Sequence, residues 1–271
     1  MRPHGRSIAA LAVFVVVTAI ATERASAVPP TPYRSMVPSY VALGDSFSSG
    51  VGTRAYGDDG SNCQRSDAAF PVLVAERVGA ELTFVACNGA DIDDVVGDQL
   101  AQLDAGTRHV TVTVGGNDAG FSTVLTDCAT PWWAADCAGR IDDAQAFIND
   151  VLPERLDVLY DEMRRLAPHA NVVIIGYPRL FMGEDCNAST WFSPGEQRDL
   201  NETADLLDAT TEATATSHGF EFVDPRSAFT GHAVCDDEEW VNGLSNPVSE
   251  SFHPNPVGQR AYADLVDDVV G

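Results

Sequence analysis

The sequence contains no lysine, so each of its 16 basic residues is an arginine, set against 40 Asp and Glu residues. The formal net charge is -24 over 271 residues. Binding to a nucleic-acid backbone and attachment to anionic lipid both depend on clustered Lys or Arg. The composition therefore argues against a nucleic-acid partner and indicates a solvated acidic surface. Adaptation to a salty environment is an alternative that composition leaves open.

A continuous apolar run of roughly 20 residues, the length of a membrane span, is also missing. The run at 8–21 is shorter, with Arg2 and Arg6 before it and Ala25-Ser26-Ala27 after it. A positive region, an apolar region and a small-residue cleavage site make up a secretory signal peptide. We expect residues 1–27 to be removed and the protein to be secreted, with no membrane anchor.

Cysteine pairs at the C-x-x-C spacing of structural zinc sites are absent, which argues against bound metal. The chain has six cysteines, an even number that favours disulfides in an exported protein. The sequence does not choose among the connectivities that six cysteines allow. The simplest pairing joins near neighbours: Cys63 to Cys87, Cys128 to Cys137, and Cys186 to Cys235.

No repeat or second linker interrupts the rest of the chain. Residues 28–38 are rich in proline and predict a flexible leader, and residues 39–271 predict a single domain. Its strands are predicted at 40–43, 82–86, 110–114, 171–176 and 220–223. Helices are predicted at 68–78, 95–103, 141–166 with a kink at Pro153, 194–217, and from Pro256 with Asn255 as N-cap.

This alternation of apolar strands and helices predicts an α/β fold, a parallel sheet covered by helices on both faces. In such sheets the ligand site lies beyond the carboxyl ends of the strands. The segments that follow the predicted strands there are Asp45-Ser46, Cys87-Asn88-Gly89, Gly115 to Asp118, Tyr177-Pro178 and Asp224.

Ser46 follows the first predicted strand directly and lies among small residues, so its hydroxyl can point into the cleft. The alternatives are a turn serine that bonds its own backbone and a phosphate-binding loop. The segment lacks Gly-Lys-Ser/Thr and Gly-x-Gly-x-x-Gly, which disfavours phosphate. A nucleophilic serine needs a base. His253, just before the last helix, is the best placed of the six histidines, and His232 is its rival.

Acyl transfer also needs hydrogen-bond donors for the oxyanion. The backbone N–H groups of Ser46 and Gly89 and the side-chain amide of Asn117 are candidates, because all three follow strands of the predicted sheet. Asp45 and Asp118 flank these residues, and we expect them to hold loop backbones in place rather than to transfer protons.

These blocks occur in the order Gly-Asp-Ser, Gly89, Gly-x-Asn-Asp and His-Pro, and in this order they resemble the SGNH (GDSL) hydrolases. The resemblance spans residues 39–271 and is closest to secreted, three-disulfide lipases and esterases of actinobacterial type. It implies a three-layer α/β/α sandwich, flavodoxin-like, with five parallel strands. It also implies that Ser46 is the nucleophile, that His253 is the base, and that Ser46, Gly89 and Asn117 form the oxyanion hole.

The chain departs from the family pattern at two positions. Phe47 replaces the leucine of the Gly-Asp-Ser-Leu block, and Glu250 stands where the family usually has Asp, three residues before the histidine. Either Glu250 orients the imidazole of His253, or a main-chain carbonyl near 249–251 does so and leaves a Ser–His dyad.

We therefore expect a serine esterase or lipase, with phospholipase A activity included, that uses no cofactor, binds its ester substrate and is monomeric. The alternatives are a carbohydrate (acetylxylan-type) esterase and a catalytically silent lipid- or wall-binding module. Six aromatic residues near the predicted cleft are candidates to line an acyl groove, with loop packing as the equal alternative: Phe47, Phe121, Trp132, Trp133, Trp191 and Phe192.

Overall fold

The computed structural model describes residues 37–270. The predicted signal peptide and nearly all of the predicted leader lie outside this range. Within it, no helix is long and apolar enough to cross a bilayer.

Five parallel strands form one sheet in the order β2-β1-β3-β4-β5. They are β1 (Ser39–Gly44), β2 (Glu81–Phe84), β3 (His109–Thr113), β4 (Asn171–Ile175) and β5 (Glu221–Val223). The central strands are buried along almost their whole length, as continuous apolar strands between two helical layers require. The predicted five-stranded parallel sheet is confirmed.

The strand order reverses between β1 and β3, because the chain first moves outward to β2 and then crosses to the other side. At this reversal the connections leave in opposite directions, which opens a crevice at the carboxyl ends of the two strands. The segments after β1 and β3 therefore meet there.

Helices cover both faces of the sheet. They are α1 (Ser46–Ser49), α2 (Phe70–Val78), α3 (Ile92–Asp94), α4 (Phe121–Cys128), α5 (Cys137–Asp150), α6 (Leu152–Leu166), α7 (Pro194–Ser217) and α8 (Pro256–Val270). On one face α2 packs on α8, and on the other α7 packs on α5 and α6. Right-handed crossovers between parallel strands produce this division into two layers.

Helix α7 has the predicted bounds because its first turn is fully specified by local sequence. Ser193 accepts a hydrogen bond from the N–H of Glu196, whose side chain bonds back to the Ser193 N–H, and Pro194 opens the helix. These are the elements of a capping box with proline in the first turn. Asn255 likewise accepts bonds from the N–H groups of Val257 and Gly258 at the start of α8.

The single long helix predicted over 141–166 is wrong. Two helices, α5 and α6, meet at Val151, and Pro153 lies in the first turn of α6. Proline is tolerated in a first turn but not inside a helix, where it removes a hydrogen bond and clashes with the preceding turn. The chain therefore starts a new helix at this point.

Two further differences concern the segments beside the crevice. The helix predicted over 95–103 is one α-turn, α3, followed by a π-turn at Val95–Gln99 and a 3-10 turn at Leu100–Gln102. Helix α4 was not predicted. Its first residues follow the glycine-rich turn after β3, and such a turn is typical of a loop.

Three disulfides join Cys63 to Cys87, Cys128 to Cys137, and Cys186 to Cys235. These are the near-neighbour pairs. The disulfide between Cys63 and Cys87 closes the segment before Gly89. The other two disulfides hold loops near the carboxyl ends of the strands, where the crevice lies.

Candidate active site

Ser46 lies at a tight turn between β1 and α1. Gly44 ends β1 with φ +119, and a Cβ at this position would lie 2.4 Å from the carbonyl oxygen of Thr113 on β3. Only glycine combines this conformation with so close a backbone approach. The turn therefore brings Ser46 beside the carboxyl end of β3.

The buried carboxylate of Asp45 holds this turn through three hydrogen bonds. Its Oδ1 accepts bonds from the Phe47 N–H (2.9 Å) and the Thr113 hydroxyl (2.6 Å), and its Oδ2 accepts one from the Tyr177 hydroxyl (2.5 Å). Burial raises the pKa of Asp45 to about 6, while these three donors favour the ionised form. Asp45 is a fully engaged structural carboxylate that holds Ser46 in position.

Asp118 has a similar task on the neighbouring loop. Its carboxylate accepts a bond from the Ile92 N–H (3.1 Å) and pairs with the Arg155 guanidinium (3.0 Å). Burial raises the pKa of Asp118 to about 6. The side chain thereby ties the segment after β3 to α3 and α6.

His253 reaches Ser46 from the segment before α8. Its Nε2 lies 2.8 Å from Ser46 Oγ, and its Nδ1 lies 2.9 Å from the carbonyl oxygen of Ser251. A carbonyl can only accept, so Nδ1 carries the proton and Nε2 accepts the serine hydroxyl. Burial lowers the pKa of His253 to about 4, so the imidazole is neutral at pH 7.

Glu250 makes no hydrogen bond with His253. It is buried, its Oε2 accepts a bond from Arg54 Nε (2.7 Å), and its Oε1 accepts one from the Tyr56 hydroxyl (3.0 Å). Of the two alternatives for orienting the imidazole, the structure therefore places the Ser251 carbonyl on Nδ1. Glu250 instead fastens the histidine segment to the loop that follows α1.

The three candidate oxyanion donors face one cleft. Asn117 Nδ2 donates one hydrogen to the Ala90 carbonyl (2.8 Å), which fixes the amide and leaves its second hydrogen free to point into the cleft. Gly89 has φ +80 and open space on its Cβ side. Within residues 37–270, the N–H groups of Ser46 and Gly89 have no acceptor. Both are available to a ligand oxygen.

The cleft has a volume of about 600 Å³, and Ser46, His253, Gly89 and Asn117 all line it. Most of its remaining wall is apolar. Residues from α4, α7 and the neighbouring surface loops contribute, among them Phe121, Leu125, Leu180, Trp191, Leu207 and Val248.

The six aromatic candidates divide into three groups. Phe47, Phe121 and Trp191 line the cleft. Phe192 is buried in a cluster with two other phenylalanines. Trp132 and Trp133 lie outside the cleft lining, with 82% and 68% of their surface exposed.

The rival histidine, His232, takes no part in this site. Its Nδ1 bonds the Glu238 carbonyl (2.8 Å), and its ring stacks on Trp240 with centroids 3.8 Å apart. The sequence analysis placed Tyr177 at the ligand edge of the sheet but gave it no role. In the structure its hydroxyl donates to Asp45, and its position just after a predicted strand was the signal that pointed to the crevice.

Comparisons with known proteins identify the family of this chain. A model of the GDSL-like Lipase/Acylhydrolase family matches residues 42–261. A lipase from Streptomyces rimosus is 39% identical over 265 residues, which cover 97% of each chain.

Two solved structures share the fold over 86% of this chain. The extracellular lipase from Streptomyces rimosus has a TM-score of 0.81 at 38% identity and is covered over 100% of its length. Phospholipase A1 from Streptomyces albidoflavus NA297 has a TM-score of 0.81 at 37% identity and is covered over 99%. The chain therefore belongs to the GDSL-like lipase/acylhydrolase family and is a carboxylic ester hydrolase.

Proposed function

We propose that this protein hydrolyses the acyl esters of lipids through an acyl-enzyme on Ser46. The observation that carries the proposal is the 2.8 Å contact between His253 Nε2 and Ser46 Oγ at an apolar cleft. A neutral imidazole that accepts from a serine hydroxyl is the arrangement of nucleophile and general base.

In the first half-reaction Ser46 Oγ attacks the ester carbonyl carbon, and its proton passes to His253 Nε2. The Ser251 carbonyl holds the opposite ring nitrogen and faces the positive charge that develops on the imidazolium. The carbonyl π electrons move onto oxygen, and the Ser46, Gly89 and Asn117 donors stabilise the resulting oxyanion.

The tetrahedral intermediate then collapses. The bond between carbon and the leaving oxygen breaks, that oxygen takes the proton from His253, and the alcohol departs from an acylated Ser46. In the second half-reaction His253 takes a proton from water as the water attacks the acyl carbon. The same proton returns to Ser46 Oγ when the acid is released.

The cleft wall favours lipid over carbohydrate esters. Beyond the reacting groups the larger share of the cleft surface is apolar, and leucine, phenylalanine, valine and tryptophan side chains contribute to it beside several serines and threonines. An apolar wall gains free energy from each methylene of an acyl chain that leaves water, whereas an acetylated sugar presents hydroxyls that need partners. The similar proteins named above include a lipase and a phospholipase A1.

The test combines active-site labelling with an acyl-chain series. A fluorophosphonate probe is expected to label Ser46 in the wild-type protein and to label nothing in Ser46→Ala. Ser122→Ala is the matched control, because Ser122 also lines the cleft but has no histidine partner. Normal turnover of p-nitrophenyl butyrate by Ser46→Ala would falsify the assignment.

The substrate class is tested on the same protein with p-nitrophenyl esters of increasing chain length, phosphatidylcholine and acetylated xylan. We expect kcat/KM to rise from acetate to octanoate and xylan to be a poor substrate. Faster release of acetate from xylan than of fatty acid from phosphatidylcholine would support a carbohydrate esterase instead. A probe that leaves Ser46 unlabelled would support a silent binding module.

We also propose that the protein is exported, cut after Ala27, and monomeric. Three disulfides support an oxidising compartment, and a similar structure is that of an extracellular lipase. N-terminal sequencing of protein from the culture medium is expected to start at Val28, and sedimentation velocity is expected to give one monomeric species. A start near Met1 would contradict cleavage.

A further inference from the structure

Three neighbouring loops form the mouth of the cleft, and we call them the cleft rim: residues 128–135, 186–195 and 240–249. Each contributes at least one side chain to the cleft lining, and Pro131, Trp191 and Val248 are examples. The rim is therefore continuous with the site at which an acyl chain would enter.

The rim exposes large apolar side chains. The exposed fractions are 82% for Trp132, 68% for Trp133, 53% for Trp191, 39% for Leu244 and 70% for Val248. Single exposed apolar residues are ordinary, but a group of them around a binding cleft marks an interaction surface. Three of the four tryptophans of the chain belong to this group.

Two hydrogen bonds join the three loops side by side. The Trp191 N–H donates to the Ala129 carbonyl (3.2 Å), and the Leu244 N–H donates to Asn187 Oδ1 (3.3 Å). The exposed side chains consequently form one surface rather than three separate loop tips.

Two disulfides hold this surface in shape. Cys128–Cys137 closes the first loop, and a turn in which the Ala134 N–H donates to the Pro131 carbonyl (2.8 Å) places Trp132 and Trp133 at its centre. Cys186–Cys235 anchors the second loop. A surface that is already ordered loses little conformational entropy when it binds.

The rim is also free of charge in a highly charged molecule. No residue of the three segments is Asp, Glu, Arg or Lys, although 21% of the whole chain is charged. Acidic residues stand immediately outside the segments, with Asp127 and Asp136 flanking the first, Asp185 preceding the second and Glu250 following the third. The uncharged patch therefore has a sharp boundary.

We infer that the cleft rim docks the protein on the surface of a phospholipid aggregate with zwitterionic headgroups. Tryptophan prefers the boundary between lipid and water, since its ring is apolar and its N–H is polar. A net charge of -24 without a single lysine opposes approach to an anionic surface. The inference rests on the proposed lipid-ester function for its substrate, but docking itself needs no turnover.

The geometry of the tryptophans favours lipid over a polysaccharide. The rings of Trp132 and Trp133 are at 89° to each other, with centroids 5.6 Å apart. Two perpendicular rings offer no shared flat face on which successive sugar rings could stack, whereas lipid headgroups and acyl chains adapt to both orientations.

The decisive measurement is co-sedimentation of the inactive Ser46→Ala protein with sucrose-loaded phosphatidylcholine vesicles. The test variant adds Trp132→Ala and Trp133→Ala to this background, and the matched control adds Val158→Ala, an exposed apolar residue on α6 that is outside the rim. We expect the tryptophan variant to partition about tenfold less than its parent or lower still, and the control to change by less than about twofold. Vesicles rich in phosphatidylglycerol are expected to bind the parent more weakly than phosphatidylcholine does.

In the active protein, Trp132→Ala with Trp133→Ala is expected to leave kcat/KM on monomeric p-nitrophenyl butyrate within about twofold of wild type and to lower hydrolysis of phosphatidylcholine vesicles about tenfold. Equal loss on both substrates would overturn the docking role. If the double variant has a lowered thermal midpoint, the single Trp132→Ser variant is measured in the same two assays, because Trp132 is the most exposed side chain of the rim.

Three other outcomes would also overturn the inference. They are unchanged vesicle partition in the tryptophan variant, stronger binding to anionic than to zwitterionic vesicles, and a wild-type dimer that dissociates in the variant while vesicle binding persists. A protein that hydrolyses no ester but still binds vesicles through the rim would refute the proposed function alone, so the two failures are distinguishable.

Discussion

The hydrogen-bond chain from Ser46 through His253 ends at the backbone carbonyl of Ser251 rather than at a carboxylate. A carbonyl fixes the tautomer of the imidazole as well as a carboxylate does, but it carries no full charge to stabilise the imidazolium. Burial of the ring is therefore the largest influence on the pKa of His253, and it lowers that pKa to about 4.

This pKa predicts the acid limit of activity. Catalysis needs a neutral imidazole, so kcat/KM is expected to stay level from pH 7 down to about 5 and to fall tenfold per unit below about 4. The measurement is hydrolysis of a soluble ester across this range, with the protein returned to pH 7 afterwards to separate titration from unfolding. An acid limb centred near 6.5 would show that the imidazole keeps its ordinary pKa.

Glu250 is expected to act as a positioning residue through Arg54 and Tyr56. Its negative charge raises the pKa of His253, in opposition to the larger effect of burial. Glu250→Gln keeps the shape and removes the charge, so the acid limb should move to slightly lower pH while kcat changes by only a few-fold. Glu250→Ala also removes the acceptors and should lower the thermal midpoint.

A direct catalytic carboxylate would behave differently. Loss of an Asp-type partner in a triad costs about 10⁴-fold in kcat. A drop of that size in Glu250→Gln with an unchanged thermal midpoint would contradict the positioning role.

The amide of Asn117 is expected to be the strongest single oxyanion donor that mutation can remove. Asn117→Ala should lower kcat by about 10²–10³-fold with little change in KM, because the bond forms only as the carbonyl oxygen becomes charged. Asn88→Ala is the matched control, since Asn88 also lines the cleft but commits its amide to Gln64 Oε1 (2.7 Å). Equal effects of the two changes would refute the assignment.

At the scale of single elements, the site depends on how closely β1 approaches β3. Gly44 has positive φ and no room for a Cβ, whereas Gly79, at the end of α2, has positive φ and nothing within 4 Å. Gly79→Ala is expected to cost about 1 kcal/mol in free energy of unfolding from backbone strain alone. Gly44→Ala should cost at least about 2 kcal/mol more, because a backbone carbonyl cannot move aside.

Urea denaturation of both variants checks this difference. Both positions have positive φ, and only Gly44 lacks room for a Cβ, so the comparison of the two variants shows how much steric overlap adds to backbone strain. Equal losses of stability would mean that β1 and β3 can move apart at the crevice.

Other elements show where local sequence suffices. Helix α7 has the predicted bounds, and its capping box and first-turn proline are both local features of the sequence. The sequence predicts only a kink where α5 ends and α6 begins. The apolar stripe continues through Val151, and Pro153 is the single residue that indicates a new helix. Helix α4 was not predicted because it follows a glycine-rich turn and has no N-cap side chain to indicate its first residue.

For the whole molecule, the acidic surface predicts a response to salt. Like charges repel in the compact state, and raising the salt from about 0.01 to 0.5 M shortens the screening length from about 30 Å to a few ångström. The thermal midpoint is expected to rise by several degrees, measured at pH 7 by circular dichroism.

The ion pairs oppose this effect only slightly. Most have an exposed partner, such as Arg198 with Asp199 and Arg165 with Glu162, and exposed pairs contribute little. A midpoint that falls with added sodium chloride would show that these pairs outweigh the repulsion. Sodium sulfate at matched ionic strength distinguishes screening from solute exclusion.

The sequence by itself predicted the sheet, and it pointed to Ser46 as the candidate nucleophile, His253 as the candidate base, and Gly89 and Asn117 as candidate oxyanion donors. Residue types along the chain are enough to show the strand pattern, the small residues around a serine and the order of the short motifs. Tertiary structure alone decided between Glu250 and a main-chain carbonyl, because every residue has a carbonyl and only the path of the backbone aims one at an imidazole. It also decided which aromatic residues line the cleft and which, like Trp132, face solvent, since that depends on how distant loops meet.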